Sequence, residues 1–188
     1  MDKLIVLSWS EFVEDIVRLA DKLKGQEFDL IIGISRGGLV AARLLSDLLG
    51  IKEILTLGIS YYKGIGRRGE EPVIISDIGK NVEGMCVLLV DDVADTGLTL
   101  KAAVEYLEKK GVGKITTCTV YIKPWCSYLP DYYSRVLDGW IVFPYEHAET
   151  IQELSQKNVT SEELIKAGFN DKILSYLREA TKNKSVEE

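Results

Sequence analysis

The stretch that decides the fold runs from Val87 to Thr99 and reads VLLVDDVADTGLT. Its first part is a continuous apolar run, which is typical of a parallel strand covered on both faces of a sheet. A helical pattern follows, in which the apolar side chains share one helix face: Leu100, Ala103, Val104 and Leu107. A buried strand, an acidic loop and a helix N-terminus predict an α/β fold, whose ligands bind beyond the carboxyl ends of the strands.

The loop of this unit offers two kinds of ligand-binding group. Free N–H groups at a helix N-terminus bind anions, the hydroxyls of Thr96 and Thr99 add donors, and Gly97 allows the backbone to approach a ligand closely. Three carboxylates lie at the other end: Asp91, Asp92 and Asp95. A single aspartate after a strand usually caps a helix, but this combination predicts a ligand that carries a phosphate and a diol or a metal, such as a sugar phosphate.

A second unit of strand, loop and helix contains another anion-binding turn. The predicted strand covers residues 28–34, and Ser35, Arg36 and Gly37 precede the next helix. Glycine permits close backbone approach, and an arginine can hold phosphate oxygens with two parallel hydrogen bonds. Taken alone, the turn is an ordinary helix start. Beside the aspartate-rich stretch, it predicts a second phosphate site.

The stretch from Val87 to Thr99 resembles the phosphoribosyl-diphosphate (PRPP) signature of type I phosphoribosyltransferases, in which apolar residues and two acids precede Asp-Thr-Gly-x-Thr. The resemblance covers about residues 4–146 and is closest to purine enzymes of the bacterial xanthine–guanine type. It implies the type I phosphoribosyltransferase fold, a mainly parallel sheet of about five strands flanked by helices. It also implies a transferase domain over 1–146, with a small hood at about 123–146. Residues 147–188 lie outside the resemblance, and their helical patterns predict a helical C-terminal appendage.

The resemblance assigns roles to the residues of both loops. Asp91 and Asp92 are expected to hold the ribose hydroxyls, directly or through Mg²⁺. The 5′-phosphate is expected at Asp95, Thr96, Gly97, Leu98 and Thr99, with the Asp95 carboxylate turned towards the base as its general base. Pyrophosphate is expected at Ser35, Arg36 and Gly37, with a cis peptide bond between Ser35 and Arg36.

A glycine-rich and cationic segment interrupts the pattern between two predicted strands, 54–60 and 72–76. One interpretation is a solvated hairpin tip. The other is a flexible lid that closes over the reaction and neutralises the departing pyrophosphate. The start of the segment resembles the catalytic loop of the family, which assigns the lid to Ser60, Tyr61, Lys63, Arg67 and Arg68.

The resemblance places the purine base against Lys123, Trp140, Ile141 and Glu146. An ammonium group donates hydrogen bonds and accepts none, so Lys123 suits the exocyclic oxygen of hypoxanthine, guanine or xanthine and not the amino group of adenine. The implied reaction converts a 6-oxopurine and PRPP to a nucleoside 5′-monophosphate and pyrophosphate, in purine salvage. Adenine phosphoribosyltransferase activity stays open if the C-terminal segment reshapes the hood, as does a regulator that senses PRPP without catalysis.

Composition limits the other function classes. The chain has 188 residues and a net charge of −6, which disfavours a nucleic-acid surface and requires local cations for a polyanionic substrate. No apolar run is long enough to span a bilayer, and the N-terminus lacks the layout of a signal peptide. The three cysteines are interpreted as reduced thiols of a cytoplasmic protein. A homodimer is expected from the resemblance alone.

Overall fold

The fold is seen in a computed structural model that describes residues 3–63, 70–156 and 159–184. Its elements follow in the order β1 (Leu4–Val6), α1 (Trp9–Leu23), β2 (Leu30–Ser35), α2 (Gly38–Leu49), β3 (Ile54–Lys63), β4 (Glu70–Ser76), β5 (Cys86–Ala94), α3 (Leu98–Lys109), β6 (Lys114–Ile122), β7 (Tyr132–Val136), β8 (Trp140–Val142), α4 (His147–Ser155), α5 (Ser161–Lys166) and α6 (Asp171–Lys184). Two compact units contain them: Val13–Asp138, and a smaller unit made of Met1–Phe12 with Gly139–Glu188.

The larger unit is built on a sheet with the strand order β4-β3-β2-β5-β6-β7. Every neighbouring pair is parallel except β3 and β4, so the predicted α/β fold with a mainly parallel sheet is confirmed. Since β2 and β5 are parallel neighbours, the loops that follow them meet at one edge of the sheet. The two loops predicted to bind phosphate are therefore adjacent.

The apolar runs of β2 and β5 form the centre of this unit. Both strands are buried along most of their length, which explains why their sequences are continuously apolar rather than alternating. Helix α3 covers one face of the sheet with the apolar stripe seen in the sequence, and Leu100, Ala103 and Leu107 are almost inaccessible. Burial of these side chains holds the start of α3 beside the end of β5.

The strands differ from the sequence prediction in number and length. The main sheet has six strands rather than about five, because the edge strand β7 was missed. Its sequence, YYSRV, is half-buried to exposed and lacks an apolar alternation. Strand β5 extends through Asp91 and Asp92 to Ala94, which pairs with Ile122 of β6. The two carboxylates thus lie in the strand and not in the loop where they were predicted.

A buried carboxylate joins α1 to the far edge of the same sheet. Asp15 is inaccessible and accepts hydrogen bonds from the Tyr121 hydroxyl at 2.8 Å and from the Ser134 hydroxyl at 3.1 Å. The guanidinium of Arg135 lies 2.6 Å from it. A buried charge is tolerated when it is paired and hydrogen-bonded in this way. The network fixes β7 and explains how a polar edge strand is retained.

The smaller unit pairs β1 with β8 in parallel and packs aromatic rings beside them. Phe12 contacts Phe143 edge to face, and Phe143 stacks on Tyr145 with the ring centroids 5.1 Å apart. Two helices begin with capping boxes, between Ser8 and Glu11 and between Thr160 and Glu163. The division between residues 1–146 and 147–188 stays a prediction, whereas the compact units group β8 with β1.

His147 is the one histidine of the sequence and is buried at the start of α4. Its Nδ1 accepts a hydrogen bond from the backbone N–H of Asn170 at 3.1 Å, and its ring packs against Phe169. Burial lowers the pKa of His147 below its usual 6.5, and the backbone of Leu7 opposes that shift. The folded protein therefore favours the neutral ring.

This arrangement predicts an acid-sensitive stability. Since the unfolded chain binds the proton more readily, the contribution of His147 is complete above a pH of about 6.5 and is lost as the pH falls below it. We expect the free energy of unfolding, measured with urea from about pH 7.5 to about pH 5.5, to fall less steeply in His147→Gln than in the wild type. Equal slopes for the two proteins would contradict this prediction.

In the part of the chain that the structure describes, no helix is both long and apolar enough to cross a membrane. The cysteines Cys86, Cys118 and Cys126 are all free thiols, as the sequence interpretation expected. Burial raises the pKa of the Cys118 thiol, so this thiol stays protonated and unreactive at neutral pH.

Candidate active site

Two adjacent carboxylates lie at the carboxyl end of β5. Asp91 and Asp92 are each 8% exposed. The Asp91 carboxylate accepts a hydrogen bond from the Asp92 N–H at 3.0 Å, and the Asp92 carboxylate accepts one from the Val93 N–H at 2.8 Å. Burial, with the neighbouring charge of Asp92 as the second cause, raises the pKa of Asp91 well above its usual range. Such a pair attracts a cation or a hydroxyl donor.

The turn after β2 approaches these carboxylates through two glycines. A Cβ atom on Gly38 would lie 2.6 Å from the Val90 carbonyl oxygen, and a Cβ atom on Gly37 would overlap the Asp92 carboxylate. Only glycine allows this separation between the two loops. The sequence analysis selected Gly37 for anion binding, and the structure adds that Gly37 makes room for Asp92.

The predicted pyrophosphate turn closes β2 and opens α2. The peptide bond between Ser35 and Arg36 is cis, as the resemblance implied. The Arg36 side chain is exposed and Ser35 is half-buried. The backbone turns at once into α2, where the Leu39 N–H donates to the Arg36 carbonyl at 3.2 Å. The turn thus places a guanidinium and a helix N-terminus at the same edge of the sheet as Asp91 and Asp92.

The predicted phosphate loop connects β5 to α3 and is open to solvent at Asp95, Thr96 and Leu98, whereas Thr99 is half-buried. Gly97 stands before the first residue of α3 with a φ of 84°, a left-handed conformation that favours glycine. A Cβ atom there would overlap the backbone carbonyl of Tyr128. The first N–H groups of α3 follow directly, which is the geometry of an anion site at a helix N-terminus.

A second segment, Lys123 to Tyr128, follows β6 and runs beside this loop. The Lys123 N–H donates to the Ala94 carbonyl at 3.1 Å, and the Ser127 N–H donates to the Thr96 carbonyl at 3.1 Å. The Ser127 hydroxyl reaches the same carbonyl at 3.0 Å. These bonds hold the phosphate loop from the side, and they join residues that are far apart in the sequence.

Two side chains of this segment converge on Asp95. The indole N–H of Trp125 donates to the Asp95 carboxylate at 2.6 Å, and the Lys123 ammonium lies 5.9 Å from the centroid of the Trp125 ring. Lys123 is 8% exposed. Burial lowers the pKa of Lys123, while the charges of Asp95 and Asp138 raise it. The structure therefore brings together the predicted general base and the predicted base-binding lysine.

Trp125 was missed as a site residue by the sequence analysis. In the sequence it directly follows Lys123 and Pro124, after the end of strand β6. One available signal was an aromatic residue in a loop at the carboxyl edge of a parallel sheet, where ligands bind. That signal does not identify its partner, because Asp95 lies 30 residues away along the chain.

The predicted lid begins as regular strand rather than as loop. Strand β3 continues to Lys63 and pairs antiparallel with β4, with Ser60 opposite Val73 and Tyr61 opposite Pro72. The sequence ended the first strand at residue 60 and began the second at Pro72, so both strands are longer than predicted. Arg67 and Arg68 lie outside the described residues. The lid function of Ser60, Tyr61, Lys63, Arg67 and Arg68 stays a prediction.

The other predicted base-binding residues belong to the smaller unit. Trp140 begins β8 and is 55% exposed, whereas Ile141 is 8% exposed. The Trp140 N–H donates to the Lys3 carbonyl at 2.8 Å. Glu146 is half-buried and stands before the first residue of α4. The Trp140 indole is therefore not part of the core, and its contact with a base stays a prediction.

These features define an α/β protein with a candidate site for a phosphorylated ligand at the carboxyl edge of its sheet. The protein belongs to the phosphoribosyltransferase family, since the family described as phosphoribosyl transferase domain matches residues 5–150. The resemblance seen in the sequence is confirmed by this match.

Named relatives come from several organisms. The chain is 33% identical over 153 residues to the xanthine-guanine phosphoribosyltransferase of Idiomarina loihiensis, covering 79% of this chain and 91% of the relative. It is 32% identical over 142 residues to that of Chromohalobacter salexigens, covering 74% and 82%. The crystal structure of a purine phosphoribosyltransferase from Pyrococcus horikoshii superposes with a TM-score of 0.71 at 41% identity, covering 76% of this chain and 93% of the other.

Proposed function

We propose that the protein transfers a phosphoribosyl group from PRPP to a 6-oxopurine base, which yields the nucleoside 5′-monophosphate and pyrophosphate in purine salvage. The relatives, which are xanthine-guanine and purine phosphoribosyltransferases, support a purine substrate. The choice of a 6-oxopurine rests on the position of Lys123. This lysine is buried at the carboxyl end of β6, beside the loop that carries Asp95. A donor-only ammonium in that place favours an exocyclic oxygen on the base.

The reaction breaks one bond and forms one. The bond between ribose C1 and the pyrophosphate oxygen breaks, and the electron pair leaves with pyrophosphate. N9 of the base forms the new bond to C1, and the base gives up a proton. The Asp95 carboxylate takes that proton from the imidazole side of the base, at N7, as a general base. Because charge develops on pyrophosphate, Arg36 and the N–H groups of the turn after β2 stabilise the leaving group.

The start of α3 binds the other end of PRPP. The N–H groups and hydroxyls of Thr96, Gly97, Leu98 and Thr99 surround the 5′-phosphate, and Asp95 turns away from that anion because like charges repel. Asp91 and Asp92 receive the ribose hydroxyls. This arrangement holds the sugar at both ends and leaves C1 between the base and the pyrophosphate site.

Asp91 and Asp92 suit Mg²⁺ as a partner, because hard cations prefer oxygen ligands. Among the described residues, no group of three or more histidine, cysteine or acidic side chains forms a metal site. We therefore expect the ion to arrive with the substrate, and Asp91 and Asp92 would hold it indirectly, through ribose hydroxyls or water. When bound, Mg²⁺ supplies charge stabilisation for the departing pyrophosphate. The homodimer and the cytoplasmic location remain predictions.

Turnover with single bases tests the proposal. With PRPP and Mg²⁺, we expect product from hypoxanthine, guanine or xanthine and little from adenine. Lys123→Met leaves a purine oxygen without its donor, so kcat/KM for the accepted base should fall by about 10- to 100-fold. Nucleotide formation is followed by the change in ultraviolet absorbance.

Lys114→Met is the matched control, because Lys114 is exposed at the opposite end of the same strand β6. Its kcat/KM should equal that of the wild type. Turnover of adenine alone would reject the 6-oxopurine assignment and leave the adenine enzyme as the function of the same scaffold.

A further inference from the structure

Trp125 occupies an unusual place between two charged groups. Its indole N–H donates to the Asp95 carboxylate oxygen Oδ1 at 2.6 Å, while its ring face lies 5.9 Å from the Lys123 ammonium. The side chain is 55% exposed. A tryptophan with half of its surface in water contributes little to a core, so packing alone does not explain its position.

We propose that Trp125 is a positioning residue for the transfer reaction, in which its N–H edge orients the Asp95 carboxylate and its ring face holds the Lys123 ammonium. This inference rests on the proposed function, because it assigns Asp95 and Lys123 to the two edges of one purine base.

The hydrogen-bonding chemistry of the indole suits the first part of this role, which is to orient the Asp95 carboxylate. An indole N–H donates and never accepts a hydrogen bond, so it engages Oδ1 and leaves Oδ2 to take the proton from the base. Asp95 lies on an exposed loop, where a carboxylate otherwise samples several rotamers. A bond to Trp125 selects one of them before the substrate arrives, which removes a cost from the reaction.

The ring face of Trp125 suits the second part of this role, which is to hold the Lys123 ammonium. Asp95 and Lys123 carry opposite charges, so the two groups attract each other. Burial lowers the pKa of Lys123, and the Asp95 carboxylate opposes that shift. The ring of Trp125 gives the ammonium a cation–π contact, and the N–H gives the carboxylate a neutral donor. One uncharged side chain thus contacts both charged groups.

The surrounding backbone supports this role. The segment that carries Trp125 is bonded to the Asp95 loop on both sides of the indole, through Lys123 to Ala94 and through Ser127 to Thr96. The base of the tryptophan side chain is therefore fixed relative to the loop that it orients.

Two substitutions separate the two contacts. Trp125→Phe keeps a ring face for Lys123 and removes the N–H, so we expect kcat to fall by about 5- to 20-fold with little change in KM for the base, since water replaces part of an exposed hydrogen bond. Trp125→Leu removes both contacts and should also raise KM for the base. The affinity for PRPP, measured by calorimetry, should stay within about twofold of the wild type in both variants.

A double-mutant cycle shows whether Trp125 acts through Asp95. Asp95→Asn lacks the general base that Trp125 would orient. The kcat of the double variant, Asp95→Asn with Trp125→Phe, should therefore equal the kcat of Asp95→Asn alone. If the two residues acted independently, their effects on kcat would multiply. Trp9→Phe is the matched control at another exposed tryptophan and should leave kcat unchanged. The indole N–H resonance of Trp125 in a ¹H–¹⁵N spectrum should move in Asp95→Asn and be absent in Trp125→Phe, which also reports on folding.

The outcomes distinguish this inference from the proposed function. Suppose that the wild type converts a purine. If Trp125→Phe then keeps the full kcat, or if the effects of Trp125→Phe and Asp95→Asn on kcat multiply, the positioning role is wrong and the function stands. If the wild type converts no purine, the function is rejected and the positioning role with it. A fall in kcat that vanishes in the Asp95→Asn background supports both.

Discussion

Asp95→Asn is expected to lower kcat by about 100- to 10,000-fold, the range for loss of a general base, while PRPP binds almost as tightly as before. The amide keeps an oxygen that accepts the hydrogen bond from Trp125, which lies 2.6 Å from the carboxylate, so the loop geometry is retained. What the amide lacks is the capacity to take a proton from the base. The measurements are kcat with hypoxanthine and the calorimetric affinity for PRPP.

This substitution also separates an enzyme from a regulator. A protein that senses PRPP without catalysis needs the phosphate site and has no use for a general base. Asp21→Asn removes an equal charge from an exposed position on α1 and serves as the control. If Asp95→Asn and Asp21→Asn convert the base at the same rate as the wild type, Asp95 is not the general base and the mechanism proposed for this site is wrong.

Gly97→Ala is expected to remove most PRPP binding, and Gly25→Ala provides an unusually close control. The two glycines have nearly the same left-handed backbone, with φ of 84° and 83°, so alanine strains both by a similar amount, about 1 kcal/mol. Their surroundings differ. A Cβ atom on Gly25 meets nothing within 4 Å, whereas one on Gly97 would lie 2.8 Å from the Tyr128 Cβ atom and overlap the Tyr128 carbonyl oxygen.

The difference between the two variants therefore measures the contact between the phosphate loop and the segment after β6. Thermal unfolding should show a modest loss for Gly25→Ala and a larger one, about 2–4 kcal/mol, for Gly97→Ala. Displacement of the loop by about 1 Å should cost about 100-fold in kcat/KM for PRPP. Equal losses of stability and activity in the two variants would show that the close approach of Tyr128 has no role.

Much of the fold was predictable because its signals are local. The buried strand β5 and the apolar face of α3 follow from the spacing of apolar residues over the stretch from Val87 to Leu107. The helix caps at Ser8 and Thr160 follow from an acidic residue three positions later. The edge strand β7 was not predictable in the same way, because it is kept by the Asp15 network, which joins α1 to residues of β6 and β7 that are distant in the sequence.

The amino-acid sequence by itself determined which chemical groups stand at the carboxyl ends of β2, β5 and β6, because the order of strand and loop is a local property and parallel strands bring such ends to one edge. Only the tertiary structure decided which of those groups touch. Three such contacts join separate segments of the chain: Trp125 with Asp95, Tyr128 with Gly97, and Gly37 with Asp92. Their geometry depends on the register of neighbouring strands rather than on any spacing within one segment.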